Sequence, residues 1–214
     1  MDRKLDGKVI LVCGPPASGK DTLTARLSKI DNRFWHFQKH RGIDGVIPNN
    51  QASSQYINIP RSKFEEMIMR NEFIQYHQRY DRYYGISQKV LKDNINNGKI
   101  PIIHVGRIEN LYELENKIED KVIKIFVWAP LNILEQRLNK RHPGNQAELE
   151  RRLQAASEEF KDLVPVHLKK TFDIIFKNEQ TLESAEKNLI ALLKQQHTTD
   201  EEVKELERYI NKYY

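Results

Sequence analysis

The run Lys8-Val9-Ile10-Leu11-Val12-Cys13 is almost wholly apolar and empties into Gly14-Pro15-Pro16-Ala17-Ser18-Gly19-Lys20. A short apolar run stopped by glycine reads as a strand buried on both faces, as in parallel sheets covered by helices. Beyond Lys20 the apolar positions Leu23, Leu27 and Ile30 recur at helical spacing, so a helix begins near Gly19. The residues between them satisfy G-x4-G-K. Glycines there let the backbone wrap an anion, several N–H groups point inward, and the helix N-terminus adds partial positive charge. Lys20 then reaches the β- and γ-phosphates of a nucleoside triphosphate as a point charge. The expected cradle is Gly14, Pro15, Pro16, Ala17, Ser18, Gly19, Lys20, Asp21 and Thr22. Asp21 departs from the usual pattern, in which Ser or Thr follows the lysine and its hydroxyl meets Mg2+. Two readings stay open for it: a metal ligand, directly or through water, or an acid favoured in the first turn of a helix.

Strand and helix patterns continue to alternate. Apolar runs at 100–105, 122–129 and 172–176 are each followed by a polar, helix-patterned segment, at 107–117, 131–141 and 181–196. Strands spaced in this way predict βαβ units, a parallel sheet and ligand-binding loops along one sheet edge. Residues 38–86, rich in Tyr, Asn, Gln and Arg, predict an inserted lobe with a helix at 61–70, and residues 141–150 predict a mobile loop. Thr199-Asp200-Glu201-Glu202 fits a capping box that opens one last surface helix.

A chain of 214 residues with 39% hydrophobic and 30% charged residues can build one core and is not of disordered composition. Its net charge of +5 is spread along the chain, which suits a small anionic ligand and not a nucleic-acid tail. Cys13 is the only cysteine, so there is no intrachain disulfide framework, as expected in a reducing compartment. No apolar stretch approaches the roughly 18 residues that span a bilayer, and Met1-Asp2-Arg3-Lys4-Leu5-Asp6 lacks the apolar core of a signal peptide. The expectation is a cytoplasmic protein without membrane or nucleic-acid partners, monomeric or homodimeric. The histidines show no zinc-ligand spacing.

With these features in place, residues 8–195 resemble guanylate kinases and their relatives. After the phosphate loop, Tyr56, Arg61-Ser62-Lys63-Phe64-Glu65-Glu66-Met67-Ile68 and Asn71-Glu72-Phe73-Ile74 look like that family's acceptor-binding lobe. Arg82-Tyr83-Tyr84-Gly85 is similar to its Asn-Tyr-Tyr-Gly signature. Phe126-Val127-Trp128-Ala129-Pro130, Glu135-Gln136-Arg137-Leu138, Arg141 and Glu150-Arg151-Arg152-Leu153 resemble the approach to its lid and the lid itself. The resemblance implies an α/β fold: a three-layer P-loop kinase core with a parallel sheet, an inserted acceptor-binding lobe and a mobile lid. In a single domain over 1–214, the core would comprise 1–37, 87–140 and 151–197, the lobe 38–86, the lid 141–150 and a C-terminal helix 198–214. It also implies ATP and Mg2+ as cofactors and a small phosphorylated acceptor, a nucleoside monophosphate or a sugar phosphate. Lys20, Arg137, Arg141 and Arg152 would stabilise the transferring phosphoryl group, while Arg41, Tyr56 and Tyr84 would hold the acceptor phosphate. Two anionic substrates need cations and positioning, not a covalent nucleophile. The aromatic run Tyr76, Tyr80, Tyr83 and Tyr84 beside Arg79 and Arg82 then suits lobe packing and acceptor binding better than stacking of single-stranded RNA.

The sequence also departs from guanylate kinases. Gln75 stands where the family's guanine-reading Glu is expected, Ile86 replaces a hydroxyl residue, and His104 and Gly106 occupy the places of an Asp-x-Asp pair. A carboxylate accepts from both guanine N1–H and N2–H, whereas Gln offers one acceptor oxygen beside a donor. The acceptor-site expectation is therefore Arg41, Tyr56, Gln75, Tyr84, His104 and Arg107, with Asp21 for the metal. His104 is read equally as an acceptor contact or as a satisfied core histidine. Gly19-Lys20-Asp21, Tyr76-His77 and Ile86 share short likenesses with the superfamily branch that phosphorylates ribose 1,5-bisphosphate. The expectation ranks such an atypical acceptor slightly above GMP, with a genuine guanylate kinase as the alternative. A non-catalytic protein-binding module is the rival from another class, and an intact loop through Lys20 argues against it.

Overall fold

The computed structural model describes residues 7–45, 47, 56–79, 81–118 and 121–214. In chain order the first half holds β1 (Lys8–Cys13), α1 (Lys20–Ile30), β2 (Phe34–His36), β3 (Lys39–Ile43), β4 (Tyr56–Pro60), α2 (Arg61–Met69), β5 (Phe73–Arg79), β6 (Arg82–Ser87) and α3 (Gln88–Asn96). The second half holds β7 (Ile100–His104), α4 (Ile108–Lys117), β8 (Lys121–Trp128), α5 (Leu131–Arg141), α6 (Gln146–Lys161), α7 (Leu168–Thr171), β9 (Ile174–Lys177), α8 (Leu182–Gln195) and α9 (Asp200–Tyr213).

The apolar strands make a five-stranded parallel sheet in the order β2-β7-β1-β8-β9. Side chains alternate across β1. Val9, Leu11 and Cys13 pack with α3–α7 and α9, while Ile10 and Val12 pack with α1 and α8. Both faces of the strand are thus covered, which is why the run is continuously apolar instead of alternating. All five strands point the same way, so β1, β7 and β8 end along one edge, where the glycine loop follows β1.

The inserted segment forms its own four-stranded sheet, β4-β3-β6-β5, covered by α2. Phe64 of α2 is fully buried and stacks on Phe73, with ring centroids 4.4 Å apart, and on Tyr83 at 5.3 Å. Gly85 is small for this reason: a Cβ there would lie 2.6 Å from the Phe73 ring and 2.8 Å from Phe64.

Two boundaries and the burial of the last helix differ from expectation. The loop expected over 141–150 shrinks to 142–145, because the Asn145 side chain accepts from Glu148 N and starts α6 at Gln146. Strand β9 begins at Ile174 and not at 172, since Phe172 N–H still closes α7 on Leu168 O. The last helix has its capping box at Thr199 and Glu202, yet it is no mere surface helix. Val203, Leu206 and Ile210 are buried in the main core, and the Tyr209 hydroxyl accepts from Leu131 N–H at the start of α5. Tyr80 of the aromatic run lies outside the described residues.

Candidate active site

Gly14 leaves β1 with φ +141° and passes so close to β8 that only a hydrogen fits on its inner side. Ser18 N–H closes a turn on Pro15 O at 3.1 Å, and Gly19, at φ +92°, opens α1 without a side-chain cap. The first N–H groups of α1 therefore have no side-chain cap, the arrangement that binds anions at helix N-termini. From behind, the Asn178 amide donates to Ser18 O at 2.7 Å. Arg137 donates to the Ala17, Ser18 and Asn178 carbonyls at 3.2, 3.3 and 2.8 Å. These long-range bonds brace the loop's outer wall.

In front of the loop lies a cleft of about 400 Å³. Its floor is Gly14, Pro16, Ala17, Lys20 and Asp21, with His104, Val105 and Gly106 from the end of β7. The inserted lobe contributes Lys39, Arg41, Tyr56, His77 and Tyr84, and α5 and α6 contribute Arg141, Arg151, Arg152 and Glu159. The lobe residues form one stack. Arg41 lies over the Tyr56 ring at 4.8 Å and donates to Asn58 Oδ1 at 2.7 Å. Tyr84 meets Tyr56 edge-on at 5.3 Å and stacks on His77 at 5.5 Å. Opposite, Glu148 accepts from Arg151 and Arg152 at 2.8 Å, which holds two guanidinium groups of α6 side by side. Those two arginines depress the Glu148 carboxyl to about 2.

The charge balance of the cleft is strongly cationic. Lys20 Nζ donates to Pro15 O at 3.2 Å. Burial lowers the Lys39 ammonium to about 8 and the His36 imidazole to about 4, so His36 is neutral near pH 7. Burial opposes the charge on Asp21, but the His104 N–H and the nearby Lys20 ammonium outweigh it and hold the carboxyl far below the usual carboxylate range. Burial raises the Cys13 thiol to about 12, leaving it inert as a nucleophile.

The cleft thus brings together Lys20, Arg41, Tyr56, Tyr84, His104, Arg141, Arg152 and Asp21 from the sequence-based set. Ser18 is buried within the loop, Thr22 is exposed, and neither lines the cleft. Arg137 stands behind the loop. Arg107 is exposed and borders a small neighbouring cavity with Cys13 and Phe126. Gln75 is 2% exposed and donates to Asn110 O at 3.1 Å and to Glu113 Oε2 at 2.6 Å, so its amide serves the contact with α4. Lys39, Arg151 and Glu159 were missed by sequence reasoning, whereas His77, which the sequence reading places in the acceptor pocket, lines the cleft. Arg151 was the most accessible of them, since it adjoins Arg152 in the lid segment.

A family model described as guanylate kinase matches residues 6–196. The chain belongs to the guanylate kinase family. Among curated relatives, the guanylate kinase of Campylobacter jejuni subsp. jejuni is 27% identical over 184 residues, covering 86% of each chain. That of Clostridioides difficile is 28% identical over 187 residues, covering 84% of this chain and 83% of its own. The crystal structure of guanylate kinase from Anaplasma phagocytophilum superposes with a TM-score of 0.59 at 20% identity, covering 91% of this chain and 89% of that one. This guanylate kinase family member is a phosphotransferase with the family's α/β fold, and α9 lies beyond the matched segment. No helix among its described residues is long and apolar enough to cross a membrane.

Proposed function

We propose that the cleft transfers the terminal phosphoryl group of Mg-ATP to the phosphate of a small acceptor, with GMP the first candidate. One arrangement supports this: Lys20 at the phosphate loop and the Arg41–Tyr56–Tyr84 group on the lobe border the same cleft, with Arg141, Arg151 and Arg152 on a third side. Lys20 draws charge from the leaving β–γ bridge, while Arg41 and the two tyrosine hydroxyls fix the acceptor phosphate. The α6 arginines neutralise the equatorial oxygens as they pass between the substrates. Arg137 keeps the loop carbonyls turned outward, leaving the loop N–H groups for phosphate. The relatives' name, guanylate kinase, points to GMP as acceptor.

The residues present fit a magnesium ion accompanying the triphosphate. Asp21 is an ionised, hard oxygen donor beside Lys20 on the cleft floor. No group of three or more His, Cys, Asp or Glu among the described residues forms a protein cage for a metal. Magnesium usually relies on one or two carboxylates plus substrate phosphates, so a single Asp suits it. Bound there, the ion would neutralise charge on the transferring group.

A second reading, ribose 1,5-bisphosphate or another atypical acceptor, is favoured by Gln75, which gives its amide hydrogens to α4 where a guanine-reading carboxylate is expected. A coupled ADP-release screen across GMP, dGMP, AMP, UMP and ribose 1,5-bisphosphate separates the readings. Robust GMP turnover at micromolar substrate supports the first. Turnover confined to the sugar bisphosphate supports the second. No turnover with any phosphorylated acceptor defeats both.

The same contact predicts the cost of restoring the family's glutamate. Gln75→Glu removes two donated hydrogen bonds and sets a second carboxylate against Glu113, so stability should fall by about 2–3 kcal/mol. Adding Glu113→Gln should recover most of that loss in urea denaturation, and equal midpoints for Gln75→Glu and the parent protein would contradict the contact.

A further inference from the structure

His104 ends β7 on the cleft floor, and phosphoryl transfer as described gives it no task. Its ring is fixed from three sides. Nδ1 lies 2.9 Å from Asp21 Oδ1, Nε2 lies 3.0 Å from Thr24 Oγ1, and the His36 ring meets it edge-on at 4.7 Å. The partners dictate where the protons sit. Asp21 is ionised and only accepts, so Nδ1 carries the hydrogen. Burial keeps the imidazole neutral despite Asp21, so Nε2 accepts. The Thr24 hydroxyl, which lies 2.9 Å from Lys20 O and 3.2 Å from Asp21 O, packs against Nε2 at 3.0 Å. The result is a linked set in which His104 donates to Asp21 from one side of the ring and is backed by the Thr24 hydroxyl on the other. Asp21 and Thr24 are three apart on α1 and so share a face. The parallel pairing of Val12 with His104 sets the imidazole against that face.

We propose that His104 is a positioning residue that holds the Asp21 carboxylate in place for the divalent cation accompanying the nucleotide. The inference rests on the nucleotide-binding reading above. Asp21 is half-exposed and feels the Lys20 ammonium, its neighbour in sequence. Released from His104, the carboxylate would lose the orientation that presents an oxygen to the cation. His104 thus serves one end, the presentation of an oxygen ligand. Groups that orient a metal ligand from outside commonly change metal affinity or activity by about 10–100-fold when removed.

The test is calorimetric titration of the whole chain with a non-hydrolysable ATP analogue, in magnesium and in EDTA, the ratio of affinities giving the magnesium increment. His104→Ala should lower the increment by about 10–100-fold and leave the EDTA affinity within about twofold. His104→Asn, whose side-chain N–H can replace the Nδ1 donor, should recover most of the increment, a rescue that a merely structural role does not predict. Asp21→Asn should lose a similar factor, and His104→Ala should add little to it, because the two residues act as one unit. Should His104→Ala fail to fold, Thr24→Val keeps the shape, breaks the far link and should lower the increment by about three- to tenfold. An unchanged increment in His104→Ala, or in Thr24→Val where that variant is used, overturns the assignment, as does an equal loss with and without magnesium. If the parent protein binds no analogue in either buffer, the nucleotide reading itself falls.

Discussion

Lys20→Ala is expected to lower turnover by about a hundredfold or more while leaving the fold intact. Removing one preorganised stabiliser of developing charge typically costs about two to three orders of magnitude in kcat. Lys20 stands in that position: it closes the G-x4-G-K loop, opens α1 and lines the cleft beside Asp21. It donates one long hydrogen bond, to Pro15 O at 3.2 Å, whose loss costs about 1 kcal/mol. Steady-state kinetics at saturating ATP with whichever acceptor the screen identifies, alongside urea denaturation of both proteins, separates these effects. A loss below about tenfold would remove Lys20 from the mechanism and, with it, the charge-stabilisation account. A protein-binding module without catalysis predicts no turnover in either version.

Gly14→Ala should be the most damaging small substitution in the chain. The φ of +141° lies in a region that L side chains rarely adopt, and the added Cβ would sit 1.9 Å from the Val127 carbonyl oxygen. Neither side can yield cheaply. Val127 is 1% exposed in β8, and β8 is hydrogen-bonded to β1 up to the Cys13–Phe126 pair. Backbone strain and overpacking together cost on the order of 3–5 kcal/mol. The displaced backbone also opens the loop, so affinity for the ATP analogue should fall with stability. Gly98→Ala is the matched control. Its φ is +73° and nothing lies within 4 Å of the new Cβ, so only about 1–2 kcal/mol of backbone strain is expected. Equal urea midpoints for the two variants would show that the contact with Val127 is not what requires glycine.

Much of the architecture was legible because its signals are local. β1, β7 and β8 are apolar runs long enough to betray burial on both faces, and α1, α4 and α5 follow them at helical period. The Thr199–Glu202 capping box marked the start of α9 within four residues. Other elements gave weaker signals. β2 is three residues long, Phe34–His36, too short for a period to emerge. The lobe strands carry polar side chains toward the cleft, so β3 and β5 read as irregular polar sequence. The burial of α9 could not be read from its cap, since its apolar face meets residues far away in the chain.

The site divides along the same line. The sequence by itself determined the phosphate loop, because a buried strand, two glycines at fixed spacing and a helix start are all contained in residues 8–30. It also supplied the cationic residues from which the lobe and lid draw. Only the tertiary structure decided which of them face the cleft. Arg137 and Arg152 both sit in polar helices, yet helix rotation sends one behind the loop and the other into the cleft. Gln75 is tied to Glu113, 38 residues on, and Thr24 to His104, 80 residues on, by sheet register and helix packing. Such pairs arise only when distant strands settle side by side, and no spacing along the chain encodes which way each side chain then turns.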